Sequence, residues 1–209
     1  MHDFRYVPKS EYQPLKNDVI ELLKEVQDEV RDHFTFRFDF IGSTKRNMIT
    51  QDMKSNIGFD FDVNIEVNDE DEDYSAAEIR NILRTVITRV SWKYGFNKCE
   101  DSTRVITIKM TNPWRSTIEH SCDFAVVYGN QYIRFNKENQ MYLWAQQSKG
   151  YSNLEEKADT LRNNGYWDEV REVYIDKKNY NEDTDKHSRS LYAETINEVY
   201  RQYLNAKNK

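Results

Sequence analysis

"FIGSTKRNMITQDMKSNIGFDFDVNIEV", residues 40–67, joins a Gly-Ser pair to a run in which large hydrophobic residues alternate with acidic and polar ones. Over 58–67, Phe59, Phe61, Val63, Ile65 and Val67 fall on one side of a β-strand, and Asp60, Asp62, Asn64 and Glu66 on the other. This follows because successive side chains of a strand point to opposite faces. One face is built for a core and the other is not. The carboxylates of Asp60 and Asp62, two positions apart, project from one face within about 7 Å of each other. Two ionised carboxylates so placed repel unless a proton or a cation lies between them. Hard oxygen donors of this kind suit Mg2+. The plainer alternative is the polar face of a half-covered sheet.

Outward from this strand the alternation continues. "FTFRFDFI" (34–41) puts Phe34, Phe36, Phe38 and Phe40 on one face of a second strand, which Gly42 ends. Glycine allows close backbone approach. A short helix or turn starting at Ser43 would turn free N–H groups and a hydroxyl toward a phosphate; the alternative is a simple strand terminator. "GSTK" has the wrong order and spacing for a P-loop. "RVITIKM" (104–110), "IEHSCDFAVVY" (118–128) and "QYIRF" (131–135) read as further strands, with a turn at "NPW" (112–114) and a hairpin through Gly129-Asn130. Asp123 sits inside the apolar part of "CDFAVVY". A carboxylate there is costly without a partner. That partner is either an Arg or Lys, or a metal shared with the 58–67 strand.

Helical spacing appears at Leu15, Val19, Leu22, Leu23, Val26 and Val30, within 11–33, with Pro14 placed in the first turn. Ser75 and Glu78 form a capping-box pattern before a helix that runs to about Lys93. Beyond about residue 150 only helical patterns remain: one opened by Ser152 and Glu155, one over 166–178, and one from Ser188. These patterns predict an α+β fold. Its core, residues 1–148, is a mixed sheet covered mainly on one face, with an N-terminal helix; residues 149–209 form a C-terminal helical subdomain.

The chain has 209 residues, 38% hydrophobic and 13% aromatic, which argues against disorder. Its 36 acidic and 30 basic residues give a net charge of −6. Wrapping a long duplex requires Lys and Arg to neutralise several phosphates, so no long duplex nucleic acid is expected as a partner. No apolar run approaches the roughly 20 residues of a membrane helix, so no membrane partner is expected. Two cysteines and a start without a signal-peptide pattern point to a reducing, cytoplasmic setting. The acidic run Asp69–Asp73 reads as a solvated loop, because it lacks the Gly-bearing spacing of a calcium loop. His120 and Cys122 share a strand face, but with Cys99 distant they make no zinc pattern. "DKHSRSLY" (185–192) reads as a capped helix start whose basic groups are long enough to reach a phosphate. Lys137 and Lys149 are open to the same use. Tyr151, Tyr166 and Trp167 serve either base stacking or packing.

"IGS", "FDFDV" and "CDFAVV", in that order and each in a strand context, resemble the motifs of the DNA polymerase β-like nucleotidyltransferase superfamily. "GSTKRNMIT" is similar to the loop after the Gly-Ser in the oligoadenylate-synthase and bacterial cyclic-nucleotide-synthase branch. The resemblance implies that Asp60, Asp62 and Asp123 hold two Mg2+ ions, replaceable by Mn2+. It implies that Gly42 and Ser43 grip the outer phosphates of a nucleoside triphosphate. An acceptor hydroxyl, activated by the ion on Asp123, would attack the α-phosphate and release pyrophosphate, as in a second-messenger synthase. Two other functions compete. A nuclease using the same carboxylates lacks a Glu-x-Lys-type strand with its base. A catalytically inactive nucleotide-binding or antitoxin-like partner protein would bind without turnover.

Overall fold

The structure, a computed structural model, describes residues 2–69, 71, 73–147, 153–183 and 185–208. In chain order the elements are β1 (Phe4–Tyr6), α1 (Lys9–Val30), β2 (Thr35–Ile41), α2 (Gly42–Arg46), β3 (Thr50–Asp52), β4 (Ile57–Asn68), α3 (Ala76–Ser91), β5 (Glu100–Asp101), β6 (Val105–Asn112), β7 (Thr117–Tyr128), β8 (Gln131–Asn136), β9 (Met141–Gln146), α4 (Leu154–Asn163), α5 (Trp167–Tyr180) and α6 (Ser188–Lys207). They fall into two compact units, one of residues 7–50 and 55–147, the other of residues 1–6, 51–54 and 148–209.

The larger unit carries a sheet of order β2-β4-β7-β6-β5, extended by β8 beside β7 and β9 beside β8. β4 is antiparallel to β2 and parallel to β7, and β7 is antiparallel to β6 and β8, so the sheet is mixed and the fold is α+β. The register aligns the apolar rows: Phe40 opposes Val63, Phe61 opposes Cys122, Val63 opposes Phe124, and Ile108 opposes Cys122. Phe61, Val63, Ile65, Phe124, Val126, Ile106 and Ile108 are buried, and with Leu22, Leu23 and Val26 of α1 and Ile79, Leu83 and Ile87 of α3 they form one core. This burial fixes the register: a one-residue slip of β4 would send Asp60, Asp62 and Glu66 into that core. α3 starts on a formed capping box, in which the Glu78 N–H donates to Ser75 Oγ and the Ser75 N–H donates to the Glu78 carboxylate at 2.9 Å.

Two local readings change. α1 begins at Lys9, so Pro14 lies in its second turn rather than its first. The extra turn is anchored by Tyr12, which is buried and donates its hydroxyl to Asn47 Oδ1 at 3.0 Å. Strands β1, β3, β5 and β9 were not legible in the sequence. Three of them are two or three residues long, and "MYLWAQ" of β9 has no clean alternation, with four of its six residues half-buried.

In the smaller unit, Ala158, Leu161, Val170, Leu191, Tyr192, Ile196 and Val199 of α4, α5 and α6 are buried. β1 is tied to α5: the Phe4 N–H donates to Asn179 Oδ1 at 2.5 Å, the Tyr6 hydroxyl donates to the Arg171 carbonyl at 2.7 Å, and Lys178 Nζ stands 4.0 Å from the Phe4 ring centre. Trp167 lies under the Arg162 guanidinium, and Tyr166 meets Tyr203 edge-on. The cap expected at Ser152, together with Lys149, Tyr151, Glu70 and Glu72, lies outside the described residues; α4 is preceded by Asn153 in the left-handed region, without a side-chain cap bond. Among the described residues no helix is long and apolar enough to cross a membrane.

Gly58 of β4 lies against the backbone of β7 at Ile118 and Glu119. A Cβ at this position would lie 1.8 Å from the Glu119 carbonyl oxygen. Gly58→Ala therefore forces the strands apart two residues before Asp60, and it lowers stability by about 1–3 kcal/mol. A lower urea midpoint with an unchanged slope is the expected result; an unchanged midpoint would show that this strand pair yields without cost.

Candidate active site

The parallel pairing of β4 with β7 sets Asp62 opposite Asp123 and Asp60 opposite Ser121. The antiparallel pairing of β7 with β6 sets Asp123 opposite Thr107 and Ser121 opposite Lys109. Residues opposed across a sheet share a face, so these six side chains project from the face that α1 and α3 leave uncovered. Asp60 is exposed, Asp62 and Asp123 are half-buried, and Ser121 is buried. The Ser121 hydroxyl donates to Asp60 Oδ1. The Thr107 hydroxyl donates to Asp123 Oδ1 at 2.5 Å. Lys109 is paired with Glu100 at 2.5 Å.

Gly42 follows β2 at the point where Ile41 opposes Asp62. Its φ of +61° is one that a side chain disfavours, and a Cβ there would lie 2.4 Å from Asp62 Oδ2. Glycine is thus required twice over, and the group that comes close to its backbone is the Asp62 carboxylate. Ser43 stands half-buried in the first turn of the five-residue α2, which ends at Asn47 in the left-handed region.

Electrostatics ties the three aspartates together. The Asp62 pKa is pushed up to about 6, first by burial, then by the charges of Asp123 and Asp60, while the Arg46 guanidinium acts in the opposite direction. Asp123 is also raised, mainly by burial and then by Asp60, with the Thr107 hydrogen bond and Lys109 opposing. On the other face of β7, His120 and Cys122 belong to the core. The His120 ring stacks on Phe59 at 5.7 Å and its pKa is lowered by burial, and the buried Cys122 thiol is raised well above its usual value. Among the described residues no three His, Cys, Asp or Glu side chains form a ready-made metal cage. The oxygen-only donors of Asp60, Asp62 and Asp123, with Asp62 and Asp123 in direct register and the Asp123 charge raising the Asp62 pKa, nevertheless suit a hard divalent cation.

Ser121, Thr107, Arg46 and Lys109 join this site without having been singled out for it by the sequence. Ser121 was within reach, because it lies two residues before Asp123 and so shares its face. Thr107 was not, because only the strand order places β6 beside β7.

No protein-family model and no curated protein matches the chain. Solved structures do. Vibrio cholerae DncV with GTP bound matches with a TM-score of 0.56 at 16% identity, over 92% of this chain and 52% of that one. The chain shares the fold of this DncV structure, an α+β fold with a mixed sheet. Vibrio cholerae DncV cyclic AMP-GMP synthase in complex with the linear intermediate pppA(3′,5′)pG gives a TM-score of 0.51 at 16% identity, over 83% and 46%. Escherichia coli DncV with 3′-deoxy GTP bound gives 0.52 at 17% identity, over 92% and 53%. The chain thus spans about half the length of these DncV structures.

The raised Asp62 pKa has a signed consequence for stability. A carboxylate that holds its proton more tightly when folded stabilises the protein at pH values below the unfolded pKa, and that contribution is lost as pH rises through the folded value near 6. In EDTA, Asp62→Asn should therefore gain stability relative to wild type between pH 4 and 7, by roughly 2–3 kcal/mol. Urea denaturation at both pH values measures the difference; a constant offset would mean that Asp62 titrates as a solvated side chain.

Proposed function

We propose that this chain is a Mg2+-dependent nucleotidyltransferase that moves a nucleoside monophosphate from a nucleoside triphosphate to a hydroxyl acceptor, with release of pyrophosphate. The observation that supports it most is the register of Asp62 against Asp123, with Asp60 on the same face, on a nucleotidyltransferase fold. Asp60, Asp62 and Asp123 would hold two Mg2+ ions, for which Mn2+ can substitute. The ions supply charge neutralisation at the triphosphate and lower the pKa of the acceptor hydroxyl.

The chain's own residues then do the positioning. Ser43 donates its hydroxyl to the outer phosphates. Gly42, without a side chain, keeps the Asp62 carboxylate clear on the side of α2. The three aspartates fix where positive charge gathers, and in-line attack on the α-phosphate needs little beyond placement and charge neutralisation. No thiol nucleophile takes part: Cys99 and Cys122 are both buried. A reducing, cytoplasmic setting is part of this proposal. A nucleotide second messenger is the product class that the likeness in fold to DncV supports. The acceptor is a nucleotide, a small alcohol or a protein hydroxyl rather than a long duplex, in keeping with the acidic balance of the chain. All five proposed site residues lie in the larger unit, inside the 1–148 core, with the helices of 149–209 forming the second domain.

Labelled ribonucleotides incubated with the protein and Mg2+ or Mn2+ test this reading. Pyrophosphate release is expected. Asp60→Asn and Asp62→Asn should each reduce it at least about 100-fold, with the circular dichroism spectrum unchanged; activity like that of wild type in either variant rejects the metal assignment. Nucleotide binding without turnover by the wild type would instead identify a catalytically inactive partner protein, and cut nucleic acid would identify a nuclease.

Ser43→Ala removes one hydrogen bond to a charged group, worth about 1.5–3 kcal/mol. The nucleotide KM should rise by at least about tenfold, with a smaller fall in kcat. An unchanged KM would return the Gly-Ser pair to the role of strand terminator.

A further inference from the structure

We infer that Ser121 and Thr107 are positioning residues that set the affinity of the carboxylate site for its divalent ion. The inference rests on the metal-dependent reading above and adds to it two residues and a strand, β6, that carry none of the motif.

Three observations lead to it. First, each hydroxyl is engaged with one flanking carboxylate: Ser121 with Asp60, and Thr107 with Asp123. The carboxylate of Asp62, between them, accepts no side-chain hydrogen bond among the described residues; it occupies the space that a side chain at Gly42 would need and lies in the field of Arg46. Each of the three aspartates therefore has its own neighbour, drawn from a different part of the fold. Second, both hydroxyls use Oδ1 and leave Oδ2 unengaged by them. A hydroxyl has a single proton to donate, so this bond suits an ionised carboxylate, the form that ligates a metal. Third, Ser121 is only 7% exposed and lies on β7 between β4 and β6. An ordinary polar-face residue would send its hydroxyl to solvent or to its own backbone. Here both hydroxyls cross to carboxylates on a neighbouring strand, one of them 61 positions away and the other 16.

The physical effect is reorganisation. Three like charges on one sheet face separate when nothing holds them, and binding an ion then has to bring them back. Hydroxyls that already fix two of the three rotamers remove much of that step, as partners behind metal-ligating side chains generally do.

Thr107→Val keeps the shape of the side chain and removes the donor, and Ser121→Ala removes the other. Mn2+ binding to the full chain without nucleotide, followed by the electron paramagnetic resonance signal of free Mn2+, gives a readout independent of turnover. Each variant is expected to raise the Mn2+ Kd at least about tenfold, while Thr107→Ser retains the wild-type value. Pyrophosphate release should require more Mn2+ in the same proportion, with the nucleotide KM at saturating Mn2+ within about twofold of wild type. Asp123→Asn serves as the control. If it loses Mn2+ while Ser121→Ala and Thr107→Val keep the wild-type Kd, the two hydroxyls are merely structural and the inference is overturned. If wild type and Asp123→Asn bind Mn2+ equally, the carboxylate reading itself fails, and this inference with it.

Discussion

Asp62 faces Asp123 across a parallel pair of strands, with Asp60 two residues away on the same face. Like charges at this range resist being brought together, and half-burial makes the resistance larger. Much of the local structure reads as a response. Gly42 gives up its side chain where the Asp62 carboxylate needs the room, and Gly58 gives up its own so that β4 can close on β7 just before the acidic pair. Ser121 and Thr107 donate to the outer two carboxylates, and Arg46 offsets part of the field at Asp62.

The arrangement is held from behind. The reverse face of β4, β7 and β6 is an apolar surface clamped under α1 and α3, and its burial is what stops the strands from slipping to relieve the repulsion. A further tie sits at the edge of the sheet. Arg80 of α3 is 1% exposed, yet its guanidinium donates to Asp101 and to the carbonyls of Ser102 and Val105, and it lies 4.2 Å from the centre of the Tyr142 ring. A buried cation satisfied on this many sides joins α3 to β5, to the start of β6 and to β9. It is fully engaged in structure and is not free to serve a ligand.

Alternation in "FTFRFDFI" and "FDFDVNIEV" was enough to read two strands, their buried faces and the side from which Asp60 and Asp62 project. The capping box at Ser75 and Glu78 was equally legible, because it depends on residues only three apart. Short polar strands such as β3 and β5 were not, since two or three residues carry no period. The start of α1 was misjudged because its first turn is held by Tyr12 reaching Asn47, a contact between residues 35 positions apart.

The sequence by itself determined that Asp60 and Asp62 share a face, that Asp123 is an anomaly in an apolar strand, and that Gly42-Ser43 closes the strand before them. Each is a local fact, set by the two-residue period of a strand and by the cost of a buried carboxylate. Only the tertiary structure decided that β4 lies parallel to β7 in the register that opposes Asp62 to Asp123, that β6 brings Thr107 alongside, and that the space beside Gly42 is taken by a carboxylate. Those relations depend on which strands pair and in what order. That choice is made by burying one continuous apolar surface under two helices, a property of the whole unit that no single stretch of residues contains.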